Sequence, residues 1–169
     1  ILAYEKNTRI LLITNKLEEK ANGGRQMLSK LNFNILKIIY GENLILYELS
    51  NLKPNSIISK INAVNGHIDG INKIVISELV SLIKHKNITK VFVDGSNLGV
   101  VVKYIKIKLP KVLIAVFFHN VESKFFLDAF RKNISLQSLA VLIANFFAEK
   151  KSVKYSDKMI CLNSRDSFM

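Results

Sequence analysis

The stretch Val112 to Glu122, reading Val-Leu-Ile-Ala-Val-Phe-Phe-His-Asn-Val-Glu, decides the fold. Seven apolar residues in succession, Val112 to Phe118, predict a strand buried on both faces, as parallel strands inside an α/β sheet are. That run delivers His119, Asn120 and Glu122 together at its carboxyl end. In open α/β sheets, ligands bind in the crevice outside the carboxyl ends of the strands. A polar cluster at that position points to chemistry.

Similar apolar runs at Arg9 to Thr14, Leu44 to Leu49, Lys90 to Val93 and Asp157 to Leu162 predict four more strands. Helical spacing fills the intervals. Met27, Leu28, Leu31, Ile35, Ile38 and Ile39 form one candidate face, ended by Gly41. Ile71, Ile74, Val75, Leu79, Leu82 and Ile83 form a second, and Leu98, Val101, Val102, Ile105 and Leu109 a third. Lys106 to Leu109 also alternates as a strand would. A short helix is expected over Ile57 to Val64, one over Glu122 to Arg131, and one capped by Ser135 running to Lys151. The order β-α-β-α-α-β-α-β-α-α-β predicts a Rossmann-like domain: an open, mainly parallel sheet with helices on both faces.

A chain of 169 residues, 49% apolar, is long enough for one domain with a real core. No apolar run approaches the roughly 20 residues that a membrane-spanning helix needs. Cys161, the single cysteine, lies in an apolar run and reads as a buried, inert thiol. Without an intrachain disulfide, a cytoplasmic location is favoured. The net charge of +12 points to anionic partners. Of the 25 basic residues, only Arg9, Arg25, Arg131 and Arg165 are arginines, the residue that base readout usually recruits. Nucleic acid is therefore disfavoured against an anionic membrane surface or phosphorylated ligands.

Gly23-Gly24 falls between the first strand and the first helix, where bare amides at a helix start can cradle a phosphate, with Arg25 adding positive charge. A flexible turn would use the same glycines. The pair lacks the Gly-x-Gly-x-x-Gly spacing of a dinucleotide site, so a nicotinamide enzyme is disfavoured. Asp94-Gly95-Ser96-Asn97 follows the third strand directly. Gly95 permits a tight turn and Ser96 or Asn97 reads as an N-cap. Asp94 is placed to orient a sugar hydroxyl or a basic neighbour. His119 can both donate and accept hydrogen bonds near neutral pH. Glu122 either joins it or caps the next helix. One cysteine and three scattered histidines do not make a zinc set, and no Gly-x-Ser-x-Gly or Gly-Lys-Ser/Thr loop is present. Leu136 to Lys154, apolar nearly all round, reads as a buried helix, with docking on anionic lipid as the alternative. Lys103, Lys106, Lys108 and Lys111 read as a solvated basic face.

Four motifs stand in order: the Gly23-Gly24 loop, Val-Phe-Val-Asp-Gly-Ser at 91 to 96, Phe-Phe-His-Asn-Val-Glu at 117 to 122, and Tyr155-Ser-Asp-Lys-Met-Ile-Cys-Leu-Asn-Ser164. Together they resemble the amino-terminal half of a family-four, GT-B-fold glycosyltransferase of bacterial surface-polysaccharide type. That resemblance implies an acceptor-side domain over residues 1–169, facing a carboxyl-terminal donor-binding domain that these residues do not include. It implies a retaining hexosyltransferase with no metal ligands and no permanently bound cofactor, using a nucleotide-diphosphate sugar and a glycan or lipid-linked acceptor at the inner face of the membrane. Gly23 and Gly24, with Arg25, match the loop approaching the donor diphosphate, and His119 matches the histidine beside the transferring sugar. Asp94, Asn120 and Glu122 take supporting or acceptor roles. On this reading the 169 residues alone are inactive. The rival expectations are a non-catalytic Rossmann-like ligand-binding or regulatory domain, and a basic membrane- or nucleic-acid-binding module.

Overall fold

A computed structural model describes residues 8–20, 23–49 and 71–162. The strands are β1 (Ile10–Asn15), β2 (Leu44–Leu49), β3 (Lys90–Asp94), β4 (Leu113–Phe118) and β5 (Lys158–Cys161). The helices are α1 (Gly24–Tyr40), α2 (Lys73–His85), α3 (Gly99–Lys108), α4 (Glu122–Lys132) and α5 (Leu136–Tyr155), with 3-10 turns at Gly41–Asn43 and Ser96–Leu98. All five strands are parallel, in the order β2-β1-β3-β4-β5. This is the Rossmann-like α/β sheet that the sequence predicts. The helix expected over Ile57 to Val64 lies outside the described residues.

Alternation along each strand sends side chains to two cores. Leu11, Ile13, Val91, Val93, Ile114, Val116 and Phe118 pack under α2 and α3 in the larger one. Ile10, Leu12, Phe92 and Phe117 face α1 in the smaller. The sheet therefore has helices on both faces. Phe118 and its even-numbered partners are nearly dry, but Leu113 is 54% exposed and Ala115 half-buried, so the entry end of β4 is open where full burial was expected. The alternative strand over Lys106 to Leu109 is excluded, because α3 runs through Lys108. Cys161 is only half-buried, since β5 is an edge strand.

Two helices are rolled differently from expectation. On α1 the buried residues are Ser29, Asn32 and Leu36, while Met27, Leu31, Ile35 and Ile38 are exposed. Asn32 and Ser29 face Asp94, and a buried carboxylate left without donors costs far more than exposing aliphatic surface. On α5 the helix buries Ala144, Asn145, Ala148, Glu149 and Ser152 and leaves Phe146 and Phe147 half-exposed, so the expectation of a buried apolar helix is wrong. Close approach is the cause. The first turn of α3 touches the α5 backbone, and a Cβ at Gly99 would collide with the Ala148 carbonyl oxygen. Only small or hydrogen-bonding residues fit that contact. Ser135 caps α5 as predicted, in a reciprocal box with Ser138, and the helix continues to Tyr155 rather than Lys151.

Candidate functional site at the carboxyl rim

With β2 on one side of β1 and β3 on the other, the direction in which successive strands are added reverses between β1 and β3. That switch point, at the carboxyl ends of the strands, is where doubly wound sheets open a crevice. Thr14, near the end of β1, donates through Oγ1 to Asp94 Oδ2 at 2.8 Å. Asn32 Nδ2 on α1 donates to Asp94 Oδ1, also at 2.8 Å. His119, one residue past β4, brings Nε2 to 3.0 Å from the same oxygen. Its approach is off the line of a straight N–H···O bond, and neither ring nitrogen completes a well-directed hydrogen bond among the described residues. A 3.0 Å separation still makes a strong ion pair whenever the imidazole is protonated.

Asp94 is 1% exposed and His119 4%. Burial alone would raise the Asp94 carboxyl. The close approach of the His119 imidazole, with hydrogen bonds from Ser29 and Thr14, outweighs it and holds the group below the ordinary carboxylate range. Asp94 is thus an anion at neutral pH, fixed by three elements and aimed at the imidazole. Its Oδ1 stands beside a basic neighbour, 3.0 Å from His119 Nε2. Phe117 meets the imidazole edge-on, 5.1 Å between ring centroids, which fixes its plane. Nδ1 is shielded and has no partner among the described residues, as are Asn15 Oδ1 and Ser96 Oγ.

The glycine pair reaches the same rim. Gly23, with φ 102°, precedes α1, and Gly23, Gly24 and Arg25 are exposed. Arg25 Nη2 donates to Asn97 Oδ1 at 3.0 Å, tying the start of α1 to the loop after β3. Gly95 makes that junction possible. It has φ 140°, and a Cβ there would lie 2.6 Å from Asn97 Oδ1 and 3.3 Å from Arg25 Nη2. The capping role expected for Ser96 and Asn97 is not what the structure has, because Ser96–Leu98 is a 3-10 turn without a side-chain cap. Asn97 receives Arg25 instead.

Not every predicted residue joins this group. Asn120 is exposed beside His119. Glu122 opens α4 and is buried, and its N–H donates to Glu149 Oε1 at 3.0 Å, with the Ser123 N–H on Oε2 at the same distance. Glu149, not Glu122, satisfies the orphan amides of that helix start. His85 is exposed at the end of α2, and His67 lies outside the described residues. Among the described residues no three His, Cys, Asp or Glu side chains group as a metal site would require. Lys106 is not simply solvated: it lies 2.7 Å from Asp157 Oδ1 and bonds the Val112 carbonyl.

Thr14, Ser29, Asn32, Glu149 and Ser152 were missed by the sequence reading. The signal for Asn32 was present, a polar residue midway between Leu28 and Leu36 at i, i+4 spacing. Compared with protein-family models, curated proteins and solved structures, the chain matches none.

Proposed function

We propose that this chain is the acceptor-side domain of a retaining glycosyltransferase that moves a sugar from a nucleotide-diphosphate donor to a cell-surface glycan precursor. One observation carries the reading. The Gly23–Gly24–Arg25 turn, the Asp94 loop and His119 gather at a single rim, over the β1/β3 switch point. In this reading the Gly23–Gly24 turn at the start of α1, with Arg25, holds the donor diphosphate by charge and helix dipole. Asp94 fixes the orientation of His119, whose ring stands beside the transferring sugar and positions it. Asn120, exposed next to His119, flanks the acceptor side, and Glu122, buried at the start of α4, has a supporting role. The donor's nucleotide is held by a second domain, and the sugar donor is consumed as substrate, without a resident cofactor.

The burial of His119 favours a second reading, a non-catalytic Rossmann-like ligand-binding domain in which the Asp94–His119 pair is structural. Sugar transfer separates the two. The full-length gene product is assayed with a panel of nucleotide-diphosphate sugars and a lipid-diphosphate-linked acceptor. The transferase reading expects turnover that falls at least about a hundredfold in His119→Ala, the usual scale for losing a positioned group at the reacting centre. Absence of transfer, or wild-type turnover in the variant, removes His119 from any catalytic role.

A further inference from the structure

The α4–α5 layer is the one part of the described chain where large exposed apolar side chains, a groove and an excess of cations coincide. Leu136, Leu139, Ile143, Phe146 and Phe147 run along one side of α5, and Phe125 stands 56% exposed on α4. Between the helices lies an open groove of about 630 Å³, walled by Leu127, Leu142, Ile143, Phe146 and Phe147, with Lys124 at its edge. Around it, residues 122–155 carry six cations: Lys124, Arg131, Lys132, Lys150, Lys151 and Lys154. The same span has three acids, of which Glu122 and Glu149 are buried and only Asp128 reaches solvent, 3.5 Å from Arg131. No helix of the described chain is long and apolar enough to cross a membrane.

We propose that this face docks the protein on an anionic lipid surface, with the phenylalanines entering the headgroup boundary and the cations holding lipid phosphates. Charge decides between occupants. A second copy joined by a two-fold axis would set these cations against themselves, which is costly. A negatively charged lipid surface meets the cations nearest the groove, Lys124 at its edge and Lys150 and Lys154 one and two turns on from Phe146, each adding attraction that salt screens. Aromatic and aliphatic side chains ringed by lysine are what interfacial helices use. The proposal does not depend on the transferase reading, since it concerns a different surface.

The test uses the whole chain and vesicles of phosphatidylcholine with or without phosphatidylglycerol. Sedimentation with vesicles should show binding only when phosphatidylglycerol is present, weakening as salt rises. Phe146→Ser with Phe147→Ser should weaken it about tenfold or more. Lys150→Glu with Lys154→Glu should do the same, whereas the matched reversal Lys84→Glu with Lys86→Glu at the carboxyl end of α2 should cost less than about threefold. The chain contains no tryptophan, so Phe147→Trp supplies a single indole whose emission should shift to the blue on anionic vesicles alone. Equal weakening by the two lysine reversals, with none in the serine variant, would reduce the effect to net charge and overturn the proposal. So would absence of binding, or a concentration-dependent dimer that the serine variants abolish.

Discussion

At the β1–β3 rim, polar side chains are buried and held, whereas on the outer side of α5 apolar side chains are left in water. Asp94, Thr14, Asn32 and His119 are each 9% exposed or less, while Phe146 and Phe147 are 48% and 46% exposed. Ordinary packing would reverse both assignments. The rim is stabilised by donors from β1 and α1 converging on one carboxylate, with the His119 imidazole beside it. On α5 the inner side is occupied by a tight helix crossing, so bulk has nowhere to go but outward. The two regions are joined: Ser152 Oγ on α5 donates to the Ser96 carbonyl at 2.7 Å, inside the loop that follows Asp94.

The largest break in this arrangement is at the crossing. Gly99→Ala would drive a methyl into the Ala148 carbonyl and against the Ser152 amide, and backbone cannot yield as a side-chain tip would. It should destabilise the chain by about 3 kcal/mol or more, read as a lower midpoint in urea unfolding. A loss within experimental error would mean that α5 does not rest on α3 this closely. The outward roll of its phenylalanines would then need another cause.

Less severe is the loss of charge at the rim. Asp94→Asn keeps the shape but replaces one acceptor oxygen with a donor NH2 facing the Thr14 or Asn32 donor, and should cost about 2–3 kcal/mol at neutral pH. The sign with pH follows from the depressed carboxyl. Between its unfolded value near 3.9 and the lower folded value, the unfolded chain binds more protons. The Asp94 contribution is therefore complete above that window and lost as pH falls through it. The stability gap between wild type and Asp94→Asn should shrink in acid. A gap constant from pH 7 to pH 3 would show that the carboxylate is not held as an anion.

How much of this could be read beforehand follows the same division. Strands announced themselves, because apolar runs bounded by polar turns are local, and all five fell where expected. His119 and Asp94 were legible as strand-end residues, since alternating αβ order sends every such end to one rim. What the pattern hid was helix roll. On α1 the apolar stripe Met27, Leu31, Ile35, Ile38 was the obvious choice for the core, yet Asn32 turns inward to a carboxylate sixty-two residues away. On α5, Gly99 lies outside the helix that it shapes. Both facts live in contacts between distant segments, which no periodicity within one segment contains. The switch point itself required knowing that β2 and β3 flank β1.

The smallest expected effect sharpens the contrast most. Phe147→Ala should cost no more than about 1 kcal/mol, because nearly half of the ring is already in water and only the remainder loses cover. The same deletion at a dry position of the sheet, such as Phe118, removes a whole buried ring and leaves a cavity. A large loss at Phe147 would show that the groove between α4 and α5 is closed in solution and that the ring belongs to the core. A small loss leaves an aromatic residue whose position folding does not require. Its retention beside Phe146, above a row of lysines, then has to be explained by something outside the fold that the face meets.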